Sequence, residues 1–81
     1  MKAKYFFNGK DITKSFFLKT ENVVNIIAAK LEIDFKTAYK YFLSSKTYIN
    51  MQDTENWLWA ESAGFIADDF FRENYFGNLK K

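Results

Sequence analysis

The spacing of apolar and polar positions changes several times along this chain, and each change marks a predicted element. In "KYFFNGKDIT", residues 4–13, apolar residues flank Asn8-Gly9. That dipeptide suits a type I′ turn, whose two central residues both need positive φ. The predicted hairpin has flanks Lys4–Phe7 and Lys10–Thr13, too short to stand without support from helices. A helix starting near Asp11 or Thr13 and running through "KSFFLK" competes with it. Thr20 reads as an N-cap, with Glu21 placed against the helix dipole. The following "ENVVNIIAAKL" sets Val23, Val24, Ile27 and Leu31 at helical spacing. Asp34 reads as a second cap, opening "FKTAYKYFLSS". There Phe35, Ala38, Tyr39 and Phe42 form an apolar stripe, and Lys36 and Lys40 lie one turn apart on another face.

"KTYINM" extends that helix or forms a separate short turn after Ser44-Ser45. "QDTEN" is a polar turn, and "WLWAE" a short extended or irregular step. Ser62 caps a last helix from about Ala63 to Tyr75, with Phe65, Ile66, Phe70 and Phe71 apolar and a stop at Gly77. The elements add up to a mainly α fold class. The expected fold is one domain over residues 1–81, a small bundle of three to four helices with a short N-terminal β-hairpin.

Composition adds two constraints. Eighty-one residues without cysteine lie near the lower size limit for a domain held by packing alone, so association with another chain is a second source of stability. Ten Phe, five Tyr and two Trp, 21% of the chain, supply large apolar surfaces from few positions. No apolar run approaches the roughly 18 residues of a membrane span. The basic N-terminus "MKAKYFFNGKD" has no apolar signal-peptide core. A soluble, cytoplasmic bacterial protein with no membrane contact is the expectation. Residues 1–46 carry nine lysines and four acids, whereas residues 47–81 carry three bases and six acids. Such asymmetry steers an acidic partner to one end, unless the halves interleave and cancel.

Histidine is absent along with cysteine. This removes Ser-His and Cys-His nucleophiles and structural zinc. "FNGKD" has no second glycine at Walker spacing, and neither GxGxxG nor GxSxG occurs. Asp68, Asp69 and Glu73 are the one carboxylate cluster that suggests a divalent cation or an acid–base pair. A solvated face with an Asp68–Arg72 ion pair reads better. No enzyme activity, metal or cofactor is expected.

Ile26 to Phe42, "IIAAKLEIDFKTAYKYF", resembles the helix-turn-helix of bacterial regulators. Ala28 stands where the motif wants a small residue. Leu31 and Ile33 fall around the turn, and Ala38 and Tyr41 at inward positions of the second helix. Phe35, Lys36, Thr37 and Lys40 then project near the start of a recognition helix, lysines toward phosphate and Thr37 toward a base edge. Against this, Glu32 occupies the turn position that usually holds glycine and would have to adopt a left-handed conformation. The second helix also offers no Arg, Asn or Gln for bidentate base readout. Tyr41 beside Lys40 suggests a different mode, in which a base of a single strand stacks beside a phosphate contact.

Residues 34–73 resemble a family of small bacterial proteins of unknown function. The matching segments are "SKTY" (Ser45, Thr47, Tyr48), "DTENWLW" (Asp53 to Trp59), the pair Glu61-Ser62, and "FIADDF" (Phe65 to Phe70). Where members often carry a Glu-Thr-Gly-type turn and a Ser-Pro, this chain has Glu55-Asn56 and Ser62-Ala63. The resemblance implies a mainly helical fold and a gene position beside toxin-like genes, some of ADP-ribosyltransferase character. It implies no catalytic or ligand residues.

Trp57 and Trp59 are the residues on which a protein-binding reading turns. On an extended step both would point to one side, with Leu58 on the other. The expectation is that at least one belongs to the core, with the other near the surface or both at a dimer seam. A non-enzymatic domain that binds a protein partner or itself through Trp57, Trp59 and Phe65 is the leading reading, in concrete form an accessory to a toxin–antitoxin system. Nucleic-acid binding through Lys36, Thr37, Lys40 and Tyr41 is the alternative.

Overall fold

The computed structural model describes residues 4–77, with side chains through Glu73. The element order is β1 (Phe6–Phe7), β2 (Lys10–Asp11), α1 (Thr13–Leu31), α2 (Phe35–Leu43), α3 (Lys46–Gln52), two single 3₁₀ turns (Thr54–Asn56 and Leu58–Ala60), and α4 (Ala63–Gly77). The chain is a mainly helical, four-helix fold with a small antiparallel hairpin. Residues 78–81 lie outside the described residues, and with them the geometry of the predicted stop at Gly77.

Hairpin and early helix are both present, so the two competing readings are consecutive rather than exclusive. Asn8 and Gly9 take φ of 53° and 79°, as a type I′ turn demands. The turn pairs Phe7 with Lys10 and Phe6 with Asp11. Thr13 joins the hairpin to α1: the Tyr5 N–H donates to Thr13 Oγ1 at 2.8 Å, and the Asp11 carboxylate accepts from the Thr13 N–H at 2.9 Å.

Thr20 is not an N-cap. It is buried in the middle of α1, where its hydroxyl donates to the Phe16 carbonyl at 2.9 Å. The hydroxyl is thus satisfied inside its own helix, and the apolar stripe runs unbroken from Phe16 through Val23, Val24 and Ile27. Tertiary burial of that stripe outweighs the weak local preference of threonine for a cap. Helix α1 ends at Glu32, which adopts φ 57°, ψ 46°. The N–H groups of Glu32 and Ile33 both reach the Ala28 carbonyl, closing a Schellman-type end.

The two remaining predicted N-caps are both in place. Asp34 accepts from the Thr37 N–H at 3.0 Å and opens α2. Ser62 accepts from the Phe65 N–H at 3.1 Å and opens α4. "KTYINM" is a helix of its own because Ser45 both ends α2 and starts α3: its Oγ donates to the Phe42 carbonyl at 2.6 Å and accepts from the Tyr48 N–H at 3.0 Å.

Helix α4 lies along α1 in the same direction. Lys19 donates to the Glu61 carbonyl at the start of α4, and Lys30 sits 5.7 Å above the Phe71 ring further on. The core between the helices consists of Phe16, Val23, Val24, Ile27, Ala38, Phe42, Tyr48, Met51, Ile66, Ala67 and Phe70. Every helix contributes at least two of these, so none can be removed without opening the core. The rings interlock: Phe42 meets Tyr48 at 5.3 Å and Phe70 at 5.9 Å between centroids, both edge-on or tilted. No helix among the described residues is long and apolar enough to cross a membrane.

Candidate interaction surfaces

The candidate binding residues fall mainly on two surfaces, an aromatic end and the outer face of α2. The aromatic end begins with Asp53, which ends α3 and accepts from the Glu55 N–H at 3.3 Å, winding the first 3₁₀ turn. Asn56 holds that turn to α3 by donating its side-chain Nδ2–H to the Asn50 carbonyl at 2.8 Å, and its side-chain oxygen accepts from the Leu58 N–H at 3.0 Å. Between the two turns Trp57 takes φ 68°, ψ 3°. A left-handed conformation is uncommon for so bulky a residue and has a cost that its neighbours must offset.

Of the two expected local geometries, extended or irregular, the step takes the irregular one. The Trp57–Trp59 step is neither extended nor alternating, yet both indoles meet the same side chain, because the left-handed residue turns the chain between them. Phe7 stands edge-on to Trp57 at 4.6 Å and to Trp59 at 5.6 Å. Trp59 is half-buried, and its Nε1–H donates to the Thr54 carbonyl at 2.9 Å. Trp57 keeps 56% of its surface exposed. One tryptophan therefore packs against the core and the other faces solvent. Phe65, at 49% exposure in the first turn of α4, makes no ring contact with either indole among the described residues. The structure brings Trp57 and Trp59 together on the Phe7 ring. Phe7, which joins the pair, was missed in the sequence because its partners lie some fifty residues away.

On α2, Ala38 and Phe42 point inward, which fixes the helix phase. At about 100° per residue, Lys36 and Lys40 then occupy the middle of the outward face, and both are exposed. Tyr41 is 53% exposed, not inward as the helix-turn-helix alignment requires, because it falls about 100° from Phe42 and off the core direction. Phe35 stacks on Tyr39 at 5.8 Å and 18°, on the opposite edge of the face. Thr37 is half-buried, and its N–H is engaged by Asp34. The hydrogen bonds from Thr37 and, to a lesser degree, the charge of Lys40 hold the Asp34 carboxyl below its ordinary value of 3.8. Thr37 thus serves the cap. Ala28, Leu31 and Ile33 are half-buried around the turn, and Glu32 does adopt the left-handed conformation that the motif requires there.

The carboxylate cluster is divided among separate tasks. Arg72 pairs with Asp69 at 3.2 Å, not with Asp68. Glu73 takes the start of α3: its Oε2 accepts from the Lys46 N–H at 2.7 Å, and its Oε1 from the Thr47 N–H at 3.0 Å and the Thr47 hydroxyl at 2.8 Å. Among the described residues no three carboxylates gather to hold a metal. Among the described residues the phenol with a strongly displaced titration is Tyr48, pushed up by burial and by its hydrogen bond and charge interaction with Tyr5. It lies in the core rather than in a cleft.

No family model, no curated protein and no solved structure matches the chain.

Proposed function

We propose that the chain is a non-enzymatic protein-binding domain whose contact is centred on Trp57. The supporting observation is that Trp57 is held outward, by the left-handed turn and by the Phe7 ring, with 56% of its surface exposed. An exposed tryptophan is normally mobile on its χ angles. One braced by a half-buried neighbour loses less side-chain entropy on binding, which is what makes rigid aromatic residues effective anchors. Asp53, Glu55 and Glu61 are exposed around it in sequence, and no base occurs between Lys46 and Arg72. The complementary partner is a protein with an apolar pocket for an indole and a basic rim. The resemblance of residues 34–73 makes an accessory role beside a toxin-like protein the concrete form of this reading. A cytoplasmic location belongs to the same proposal.

The test is a comparison of wild type with Trp57→Ala, both confirmed folded by far-UV circular dichroism. Sedimentation of the pure proteins reads self-association, and quantitative cross-linked co-purification from the host reads other partners. The expected result is one protein retained by wild type and reduced at least tenfold in Trp57→Ala, as for a hot-spot tryptophan. Equal retention by the two proteins, or no specific partner and no self-association with wild type, overturns the proposal.

A further inference from the structure

We propose that the outward face of α2 binds a single strand of nucleic acid, independently of the Trp57 surface. From Phe35 to Leu43 the helix carries two cations, Lys36 and Lys40, and no acid. Neither lysine takes part in a salt bridge among the described residues, where the ion pair is Asp69–Arg72. Side chains at i and i+4 have Cβ atoms ~5–6 Å apart, comparable with the step between neighbouring phosphates along a strand. Aromatic rings flank the two cations on either side, with the Phe35–Tyr39 stack on one edge and Tyr41 on the other. A strand crossing the helix sets its phosphates over the lysines and its bases against the rings. Such interleaving of positive charge with stacking platforms is how single strands are bound without sequence readout.

The same face does not suit a duplex. A recognition helix meets base edges with its first turns, and here that end carries the exposed acids Glu32 and Asp34. The outward positions hold no Arg, Asn or Gln to read a base pair. An acidic protein would satisfy the lysines but gives the exposed rings of Phe35 and Tyr41 no particular task. A strand satisfies both.

Fluorescence anisotropy with a labelled oligothymidine tests this, with a labelled duplex and an excess of polyglutamate as comparisons, at low and near-physiological salt. Wild type, Lys36→Glu/Lys40→Glu, Tyr41→Ala and Trp57→Ala are measured, each confirmed folded by circular dichroism. Oligothymidine is expected to bind at low salt and to weaken with salt at a slope of roughly −0.7 per phosphate neutralised. The double lysine variant loses binding, Tyr41→Ala weakens it about tenfold, and Trp57→Ala leaves it unchanged. No binding at low salt overturns the proposal, as does binding that survives the double lysine variant. Duplex bound as tightly with Tyr41→Ala silent, or displacement by polyglutamate at equal charge, replaces the strand with a general polyanion and overturns it equally. A loss confined to Trp57→Ala places the contact at the aromatic end instead, which also overturns it.

Discussion

Glu32 and Trp57 both hold a left-handed backbone without being glycine, and each does so at a junction between helical segments. For an L-residue this conformation costs roughly 1–2 kcal/mol, whereas glycine adopts it freely but loses more chain entropy on folding. At Glu32 the side chain is exposed and enters no salt bridge among the described residues, so little is gained to set against the strain. Glu32→Gly is therefore expected to raise stability by about 0.5–1 kcal/mol, read as a higher urea midpoint at unchanged slope. A lower midpoint would mean that the glutamate contributes more than its backbone costs. At Trp57 the sign differs, because the strained residue also carries the Phe7 contact. The strain there coincides with the more solvent-facing of the two indoles, which fits a residue whose position matters for contact with something else.

At the scale of elements, local chemistry in the sequence was a good guide at the hairpin turn and at two of the predicted caps. Asn8-Gly9, Asp34 and Ser62 each act through bonds two or three residues long, and each stands where it was expected. Thr20 failed because burial against the other helices, not the local cap, decides the fate of a threonine in the middle of an apolar stripe. At the tryptophans the division into one packed and one exposed indole was legible, but nothing in the pattern of "WLWAE" announces the left-handed backbone of Trp57. Glu73 was legible only as one of several acids, since its bonds to Lys46 and Thr47 cross 27 and 26 residues. This carboxylate completes the capping of α3 that Ser45 begins, taking the Lys46 and Thr47 N–H groups, and it fastens α3 to α4 in doing so. Glu73→Ala leaves the N–H groups of Lys46 and Thr47 and the nearly fully buried Thr47 hydroxyl without their acceptor. The expected loss is about 2 kcal/mol, the range for hydrogen bonds to a charged group. Glu73→Gln, which keeps one acceptor oxygen, should recover part of it. Denaturant titration of the two variants decides the matter, and a loss below about 0.5 kcal/mol in both would show that water replaces the carboxylate at little cost.

Taken as a whole molecule, the domain depends on joining its two chain halves, because neither the hairpin nor the irregular step after α3 is stable alone. Tyr5 is the residue through which they join. Its ring stacks on Phe16 at 3.9 Å, its hydroxyl accepts from the Gln52 side chain at 3.0 Å, and its backbone is tied to Thr13. Close by, Thr54 donates to the Phe6 carbonyl at 2.8 Å, and Phe7 carries the two indoles. The hairpin thus bridges the start of α1 to the end of α3 and orients the aromatic end. A domain of this length has a total stability of only several kcal/mol. Tyr5→Ala removes a half-buried ring from a close stack and is expected to cost about 2–3 kcal/mol, a large share of that total. Tyr5→Phe keeps the stack but removes the hydroxyl's bonds to Gln52 and Tyr48, and should cost about 1–2 kcal/mol. The two variants also report on how the aromatic end is held. If the hairpin positions Phe7, Tyr5→Ala should shift the tryptophan emission toward that of free indole before global unfolding, while Tyr5→Phe leaves it in place. Emission that changes only with the global transition would mean that the 3₁₀ turns fix Trp57 and Trp59 by themselves, and that the hairpin merely covers them.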